Sequence, residues 1–392
     1  MNKERWLLPE GIEEVLPPHA KVLEHKRRTL LDLYHSWGYE LVMPPFIEYL
    51  DSLLTGTGDD LDLQTFKLTD QLNGRMMGVR ADMTPQVARI DAHQLRRTTP
   101  TRLCYMGTVL HTRPKGFAAS RAPLQIGLEL YGHAGLESDV EVFQLMYKTL
   151  AAFDIADVYF DLGHVGLYRG LVKQAGLDAE QEALLFDTLQ RKAKPELNGM
   201  LANWSLEKPM REMFLQLADL NGDEEVLLRA KQLLAKADAA VLQAISELEN
   251  IAAAIKQRIP GISLHYDLAE LRGYHYHTGV VFAAFVPGQG QAIAQGGRYD
   301  GIGKVFGNAR PATGFSTDLK TLLALSPPAM LKSAGIFAPY GNDADLLAAI
   351  DALRAQGERV IMALPEQVGD AQAMQCDRLL VKQGNDWIVT TI

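Results

Sequence analysis

Between Leu271 and Asp300 the chain reads LRGYHYHTGVVFAAFVPGQGQAIAQGGRYD, and this stretch restricts the possible folds more than any other. Val280 to Val286 is β-branched, aromatic or small at every position, and Pro287-Gly288-Gln289-Gly290 ends the run. The pattern predicts a hairpin arm that returns through Gln291 to Gln295. Around it lie Arg272, Tyr274, His275, Tyr276, His277 and a Gly-Gly-Arg-Tyr-Asp turn. Arg272 offers a rigid, permanently charged fork suited to a carboxylate or phosphate, and Gly296-Gly297 has no side chains to block close approach of a ligand to the backbone. These residues read as a binding wall, although a surface hairpin with a chance aromatic and histidine cluster fits them equally. His275 and His277 would share one face of a strand. Their flanks supply no third ligand, so no metal site is expected.

At 392 residues the chain exceeds one ordinary domain, and 47% hydrophobic residues can supply a sizeable core. A net charge of −9 with no long block of like charge gives no electrostatic reason to expect nucleic acid. Cys104 and Cys376 are far apart and form no ligand pattern, which fits a reducing compartment. The opening MNKERWLLPEGIEEVLPP is charged and interrupted by prolines, unlike a signal peptide. No run approaches the ~18 apolar residues that a membrane span needs. A cytoplasmic protein is expected.

Taken in order, His19 to Trp37 has apolar residues at helical spacing, with Gly38 as its stop. Tyr39 to Met43 reads as a strand ended by Pro44-Pro45, and Phe46 to Leu54 is apolar enough to pack on a partner or within the chain. Phe66 to Leu68 and Arg75 to Val79 pair around Asn73-Gly74. Thr84 before Pro85 predicts an N-cap and a helix to about Leu95, which puts Arg80 and Asp82 at a strand-to-helix junction. Such junctions often face ligands, and an ion pair at the helix start is the plainer alternative. Leu103 to Leu110 and Leu124 to Tyr131 read as a long antiparallel hairpin, with Gln125 and Glu129 on one face of its second arm. A carboxylate there needs a partner, either a ligand cation or a structural arginine. Leu136 to Phe153 is a helix and Val158 to Leu162 a strand. Residues 164–258 have helical patterning, which suggests an insertion between a first core segment, 1–163, and a second, 259–326. Arg310 to Ser316 is a strand and Asp318 to Leu325 a helix, and residues 327–392 alternate strand and helix as a small α/β domain.

Together these pieces resemble the catalytic core of histidyl-tRNA synthetase over roughly Pro9 to Leu325. The resemblance is carried by WGYELVMPPFIEYLDSL (motif 1, the dimer interface), QIGLELYG (motif 2), LRGYHYHTGVVF and GGRYDGI (the two histidine-specific signatures) and PATGFS (motif 3). It implies an α+β fold of the class II synthetase type, with a six-stranded antiparallel sheet flanked by helices. It also implies a histidine site in which Asp82, Thr84, Gln125 and Glu129 surround the ligand's ammonium and imidazole, Arg272 faces its carboxylate, and Tyr276 and His277 complete the wall. His277 stands where the synthetases have tyrosine.

Other positions depart from the synthetases. Their motif 2 Phe-Arg-x-Glu falls here on Leu110-His111-Thr112-Arg113. Their motif 3 Gly-Phe-x-x-Gly-x-Glu-Arg-Leu falls on Gly314 to Leu322, so glycine becomes Asp318, glutamate Lys320 and arginine Thr321. The two missing arginines hold ATP phosphates in that family, each contact contributing ~1.5–3 kcal/mol. The C-terminal segment is also shorter than an anticodon-binding domain. This combination resembles the regulatory subunits of ATP phosphoribosyltransferase. The resemblance implies no catalytic residues, no cofactor and no tRNA. The implied partner is a short catalytic subunit, joined in a hetero-octamer, with a self-dimer through the motif 1 region and histidine as feedback effector. A reduced-form histidyl-tRNA synthetase is the alternative.

Overall fold

Among the described residues twelve strands precede residue 327: β1 (Glu40–Val42), β2 (Ile47–Tyr49), β3 (Phe66–Thr69), β4 (Met76–Val79), β5 (Thr101–Thr108), β6 (Leu124–Tyr131), β7 (Tyr159–His164), β8 (Asn221–Gly222), β9 (Leu264–Asp267), β10 (Val280–Phe285), β11 (Ala294–Arg298) and β12 (Ala312–Asp318). The computed structural model describes residues 6–56, 59–114, 120–269, 273, 276–327 and 335–392, with backbone alone at 59–60. Arg272, Tyr274 and His275 therefore lie outside the described residues. Nine strands form one sheet in the order β1-β5-β6-β12-β11-β10-β7-β9-β8. Its six central strands, β5 to β7 in that order, are antiparallel at every joint. β1 adds parallel to β5 and β9 parallel to β7, so the whole sheet is mixed.

Strand alternation divides the sheet into two chemically different faces. From β6, Ile126, Leu128 and Leu130 enter the main core with Phe143 and Met146 of the helix Leu136–Ala151. Phe143 packs on Phe160 at 5.4 Å and on Phe282 at 5.5 Å between ring centroids. The six helices between β7 and β9 share this core, with Leu167, Tyr168 and Ile245 in the same cluster. The opposite face of β6 carries Gln125, Gly127, Glu129 and Tyr131, where Leu103, Tyr105 and Tyr131 pack with Met83 and Val87. A separate three-stranded sheet, β2-β4-β3, precedes the helix Thr84–Arg89, which continues as a π-helical turn over Ile90–Leu95.

Residues 328–392 form a second unit. In it, β13 (Ile336–Ala338), β14 (Val360–Met362), β15 (Arg378–Gln383) and β16 (Asp386–Thr391) make a sheet in the order β14-β13-β15-β16. The helix Ala344–Ala355 gives Leu346 and Ile350 to a small core with Ile336, Val360 and Leu380.

Three local expectations change. Met83, not Thr84, is the N-cap, and the Asp82 side chain accepts from the Thr84 amide at 3.0 Å. Arg80 is 7% exposed and donates to the carbonyls of Thr108 and Pro44 at 2.9 and 2.7 Å, so it braces the junction and is not aimed at a ligand. The return strand starts later than expected and runs through Gly296-Gly297 to Arg298. A Cβ on Gly296 would come within 2.6 Å of the Phe282 ring, so packing inside the sheet requires this glycine.

Arg298 also turns inward. Its guanidinium donates to Asp139 at 2.8 and 3.0 Å, to Ser138 at 2.8 Å and to the Gly135 carbonyl at 3.1 Å. It thus fastens the start of the helix Leu136–Ala151 to β11. Removing one member of a buried ion pair leaves the other charge uncompensated. Arg298→Met is expected to lower the unfolding free energy by about 3–5 kcal/mol, read from the urea midpoint at constant m-value.

Candidate functional site

Neighbouring strands leave gaps opposite Glu129 that let its long side chain lie within the sheet face. Gly314 of β12 is its register partner, and a Cβ there would collide with Glu129 Oε2. Gly127 similarly makes room for Tyr105, whose hydroxyl a Cβ would strike. Tyr105 donates to Glu129 Oε1 at 2.9 Å, and the Tyr299 hydroxyl donates to the other oxygen. The chain of hydroxyls extends from Tyr105 to Thr84 Oγ1 at 2.9 Å, and from Tyr299 to Tyr131 at 3.4 Å. Tyr276 stacks on Tyr299 with centroids 4.8 Å apart, and His277 meets Tyr276 edge-on at 5.4 Å.

Gln125 anchors the other end of the face. Its Nε2 donates to Asp82 Oδ1 at 2.7 Å, and its Oε1 accepts from the Met83 amide at 3.0 Å. This bond and the Thr84 amide bond tie the start of the helix Thr84–Arg89 to β6. Asp82, Thr84, Gln125, Glu129, Tyr276 and His277 therefore come together around one face of the sheet. Tyr105, Tyr131 and Tyr299 belong to the same network, although sequence reasoning did not select them. The signal was present: Tyr105 and Tyr131 alternate with core residues on the strands of a predicted hairpin, and Tyr299 lies in the Gly-Gly-Arg-Tyr-Asp turn.

Two of the cavities lined by described residues lie beside these side chains. One, of about 60 Å³, is lined by Gly273, His277, Phe282 and Gln295. The other, of about 400 Å³, is lined by Asp82, His111, Gln125, Gln295, Asp318 and Thr321 among others. Asp318 caps the helix Leu319–Leu325, accepting from the amides of Lys320 and Thr321 at 3.1 and 3.3 Å and from the Thr321 hydroxyl at 2.7 Å. It also accepts from the Leu124 amide at 2.9 Å, which joins that helix to the start of β6. His111 donates from Nε2 to the Ala81 carbonyl at 2.9 Å. Two carboxylates and, among the described residues, no lysine or arginine line the larger cavity, a poor environment for a triphosphate.

The carboxyl group of Glu129 is 1% exposed and has no ion-pair partner among the described residues. Burial pushes its pKa up to about 8 against the hydrogen bonds from Tyr299 and Tyr105, and the negative charge of Asp82 adds to the rise. Burial, with Glu129 alongside, raises Tyr105 and Tyr299 well above the ordinary phenol value. In the unfolded chain Glu129 would ionise near 4.5. Between 4.5 and about 8 the folded chain retains a proton that the unfolded chain has lost, so rising pH favours unfolding across that window. Glu129→Gln cannot ionise. It is expected to lose roughly 2–4 kcal/mol less stability than the wild type between about pH 5 and pH 8 in urea unfolding.

The chain was compared with known proteins. A model of the histidyl-tRNA synthetase family matches residues 11–322, and a model of the ATP phosphoribosyltransferase subunit HisZ C-terminal domain matches residues 333–390. The ATP phosphoribosyltransferase regulatory subunit of Thioalkalivibrio sulfidiphilus is 62% identical, with 100% of both chains covered. That of Pseudomonas syringae pv. tomato is 56% identical over 98% of each chain. Among solved structures, one described as an ATP phosphoribosyltransferase regulatory subunit/histidyl-tRNA synthetase from Bacillus halodurans superposes with a TM-score of 0.82 at 25% identity, covering 94% of this chain and 95% of its own. Histidyl-tRNA synthetase from Nostoc, at 19% identity and a TM-score of 0.77 over 98% of this chain and 97% of its own, shares the fold. Full-length similarity at this level, with a synthetase-like core followed by the shortened C-terminal unit, places the chain in the family of ATP phosphoribosyltransferase regulatory subunits.

Proposed function

We propose that this chain is a non-catalytic subunit that activates a short ATP phosphoribosyltransferase catalytic subunit and carries feedback inhibition by histidine. The observation that supports this reading most is the contrast between the two halves of the site. The amino-acid half is connected through Asp82, Gln125, Thr84 and Glu129, and the half that would hold ATP is lined by Asp82 and Asp318. The ligand's ammonium would lie at Asp82, Thr84 and Gln125. Its ring would lie between Glu129 and His277, beside Tyr276, and its carboxylate would face Arg272. The chain does no chemistry of its own in this reading. Histidine acts by preferring one state of the complex, and a coupling of ~1–3 kcal/mol is enough.

Self-association through the motif 1 segment is part of the proposal. Met43 is 79% exposed and Phe46 and Ile47 are each 42% exposed in the single chain, an apolar face that a second copy would cover. A hetero-octamer with the catalytic subunit follows from the family resemblance.

Reconstitution tests the proposal. The purified chain alone should form no phosphoribosyl-ATP, should restore activity to a short catalytic subunit, and should make that activity sensitive to histidine. Failure to co-purify with such a subunit removes the proposal. Arg272→Ala and Gln125→Ala should each raise the histidine concentration for half-inhibition by ~10-fold or more, as expected for losing a contact to a charged group. Unchanged inhibition in both variants would place the sensor elsewhere.

A further inference from the structure

In the second unit β13, β14 and β15 run parallel, and parallel strands are stable when both faces of their sheet are covered. The chain passes from β13 through the helix Ala344–Ala355 to β14, then back across β13 to β15. Right-handed crossovers in both steps put the second over the face opposite the helix. This second crossover, residues 363–377, contains no helix among the described residues. Arg359 donates to the carbonyls of Gln375 and Met374 at 2.9 and 3.0 Å, which holds the end of the crossover against the start of β14. The rest of the face is apolar. Phe337 is in register with Ile361 and Leu379, and Val381 with Ile388. Strand alternation sets these five side chains away from Leu346 and Ile350; none joins that core, and all stay partly exposed. On the crossover itself Leu364 is 65% and Val368 93% exposed.

Charge selects what can cover this face. Residues 335–392 carry eight carboxylate side chains and four cationic ones. Every cation is engaged: Arg354 with Asp351 and the Val360 carbonyl, Arg359 with the crossover, Arg378 with Glu358, and Lys382 with Asp343. Glu366 and Asp370 on the crossover, and Asp386 on the same side of β16 as Ile388, form no ion pair among the described residues. An acidic border repels the phosphates of a nucleic acid. It also repels a second copy of a chain whose net charge is −9. A basic polypeptide is the complementary occupant.

Resting on the reading that a short catalytic subunit is the partner, we propose that this face is an interaction surface for that subunit. It takes an amphipathic helix whose apolar stripe is flanked by lysine or arginine. The helix supplies the layer that the crossover lacks, with its apolar side chains on Phe337, Leu379, Val381 and Ile388 and its cations at Glu366, Asp370 and Asp386. The face lies wholly within the second unit, so this contact holds the partner without using any residue of the proposed histidine site.

Two variants of the full chain test the surface, with affinity for the short catalytic subunit measured by calorimetry at two salt concentrations, about 0.05 and about 0.5 M. Ile388→Lys places a cation in the apolar patch, and the triple variant Glu366→Lys, Asp370→Lys, Asp386→Lys reverses its border. Each should raise the Kd by ~10-fold or more, and the triple variant should also lose most of the salt dependence of the wild type. Histidine binding by the chain alone should not change. The triple variant alters exposed side chains, so it decides the matter even where Ile388→Lys unfolds the unit. An unchanged Kd in the triple variant at low salt overturns the proposal. So does a loss of self-association, read by sedimentation, with affinity for the catalytic subunit intact, because a second copy would then cover the face. Failure of the wild-type chain to bind the catalytic subunit at all would instead remove the functional reading on which the inference rests, and the inference with it.

Discussion

The burial of the Glu129 carboxyl group is the constraint around which the central sheet is arranged. Placing an unpartnered carboxylate in an apolar interior costs several kcal/mol, and the surrounding sequence offsets this with local features. Gly314 opens the space, Gly127 lets Tyr105 reach across from β5, and Tyr299 supplies the second donor. The other face of the same strand needs the opposite chemistry. There Ile126, Leu128 and Leu130 pack under Phe143, so the rigid position of Glu129 depends on the main core. A strand with period-two alternation thus links packing energy on one side to a polar site on the other.

The second half of the site differs from the synthetase pattern in its side chains, on a sheet of the same fold. Asp318 takes four hydrogen bonds from Leu124, Lys320 and Thr321, where a synthetase would have glycine followed by glutamate and arginine. The carboxylate stabilises the helix it caps by about 1 kcal/mol, and it adds negative charge to the cavity where phosphates would lie. A single residue therefore contributes to folding and, on the proposed reading, opposes nucleotide binding. On this account the chain keeps recognition and loses reaction because different side chains of the adjoining strands β6 and β12 serve the two.

The long elements were readable because their patterns were strong. The helix His19–Ser36, the β5–β6 hairpin and the arm β10 fall where periodicity and turn residues put them. What alternation could not give was strand order, since pairing of β6 with β12 joins residues almost 200 positions apart and β1 runs parallel to β5. Side-chain roles were read least well where chemistry and architecture use the same residue types. Arg80 and Arg298 resemble ligand-binding arginines in sequence, yet both are consumed by carbonyls or Asp139. Thr84 has the signature of a helix cap but gives its hydroxyl to Tyr105. Tyr105, Tyr131 and Tyr299 look like core aromatics, and only the pairing of β5 with β6 and the turn after β11 make Tyr105 and Tyr299 partners of Glu129, with Tyr131 one hydroxyl further on.

The central claim is that this fold senses histidine without activating it. Histidine-dependent ATP–pyrophosphate exchange by the purified chain tests that claim most directly, because it reports formation of an aminoacyl adenylate and nothing downstream. The account predicts no exchange above background at saturating histidine, ATP and magnesium. A robust histidine-dependent rate would contradict it and would identify the chain as a reduced histidyl-tRNA synthetase.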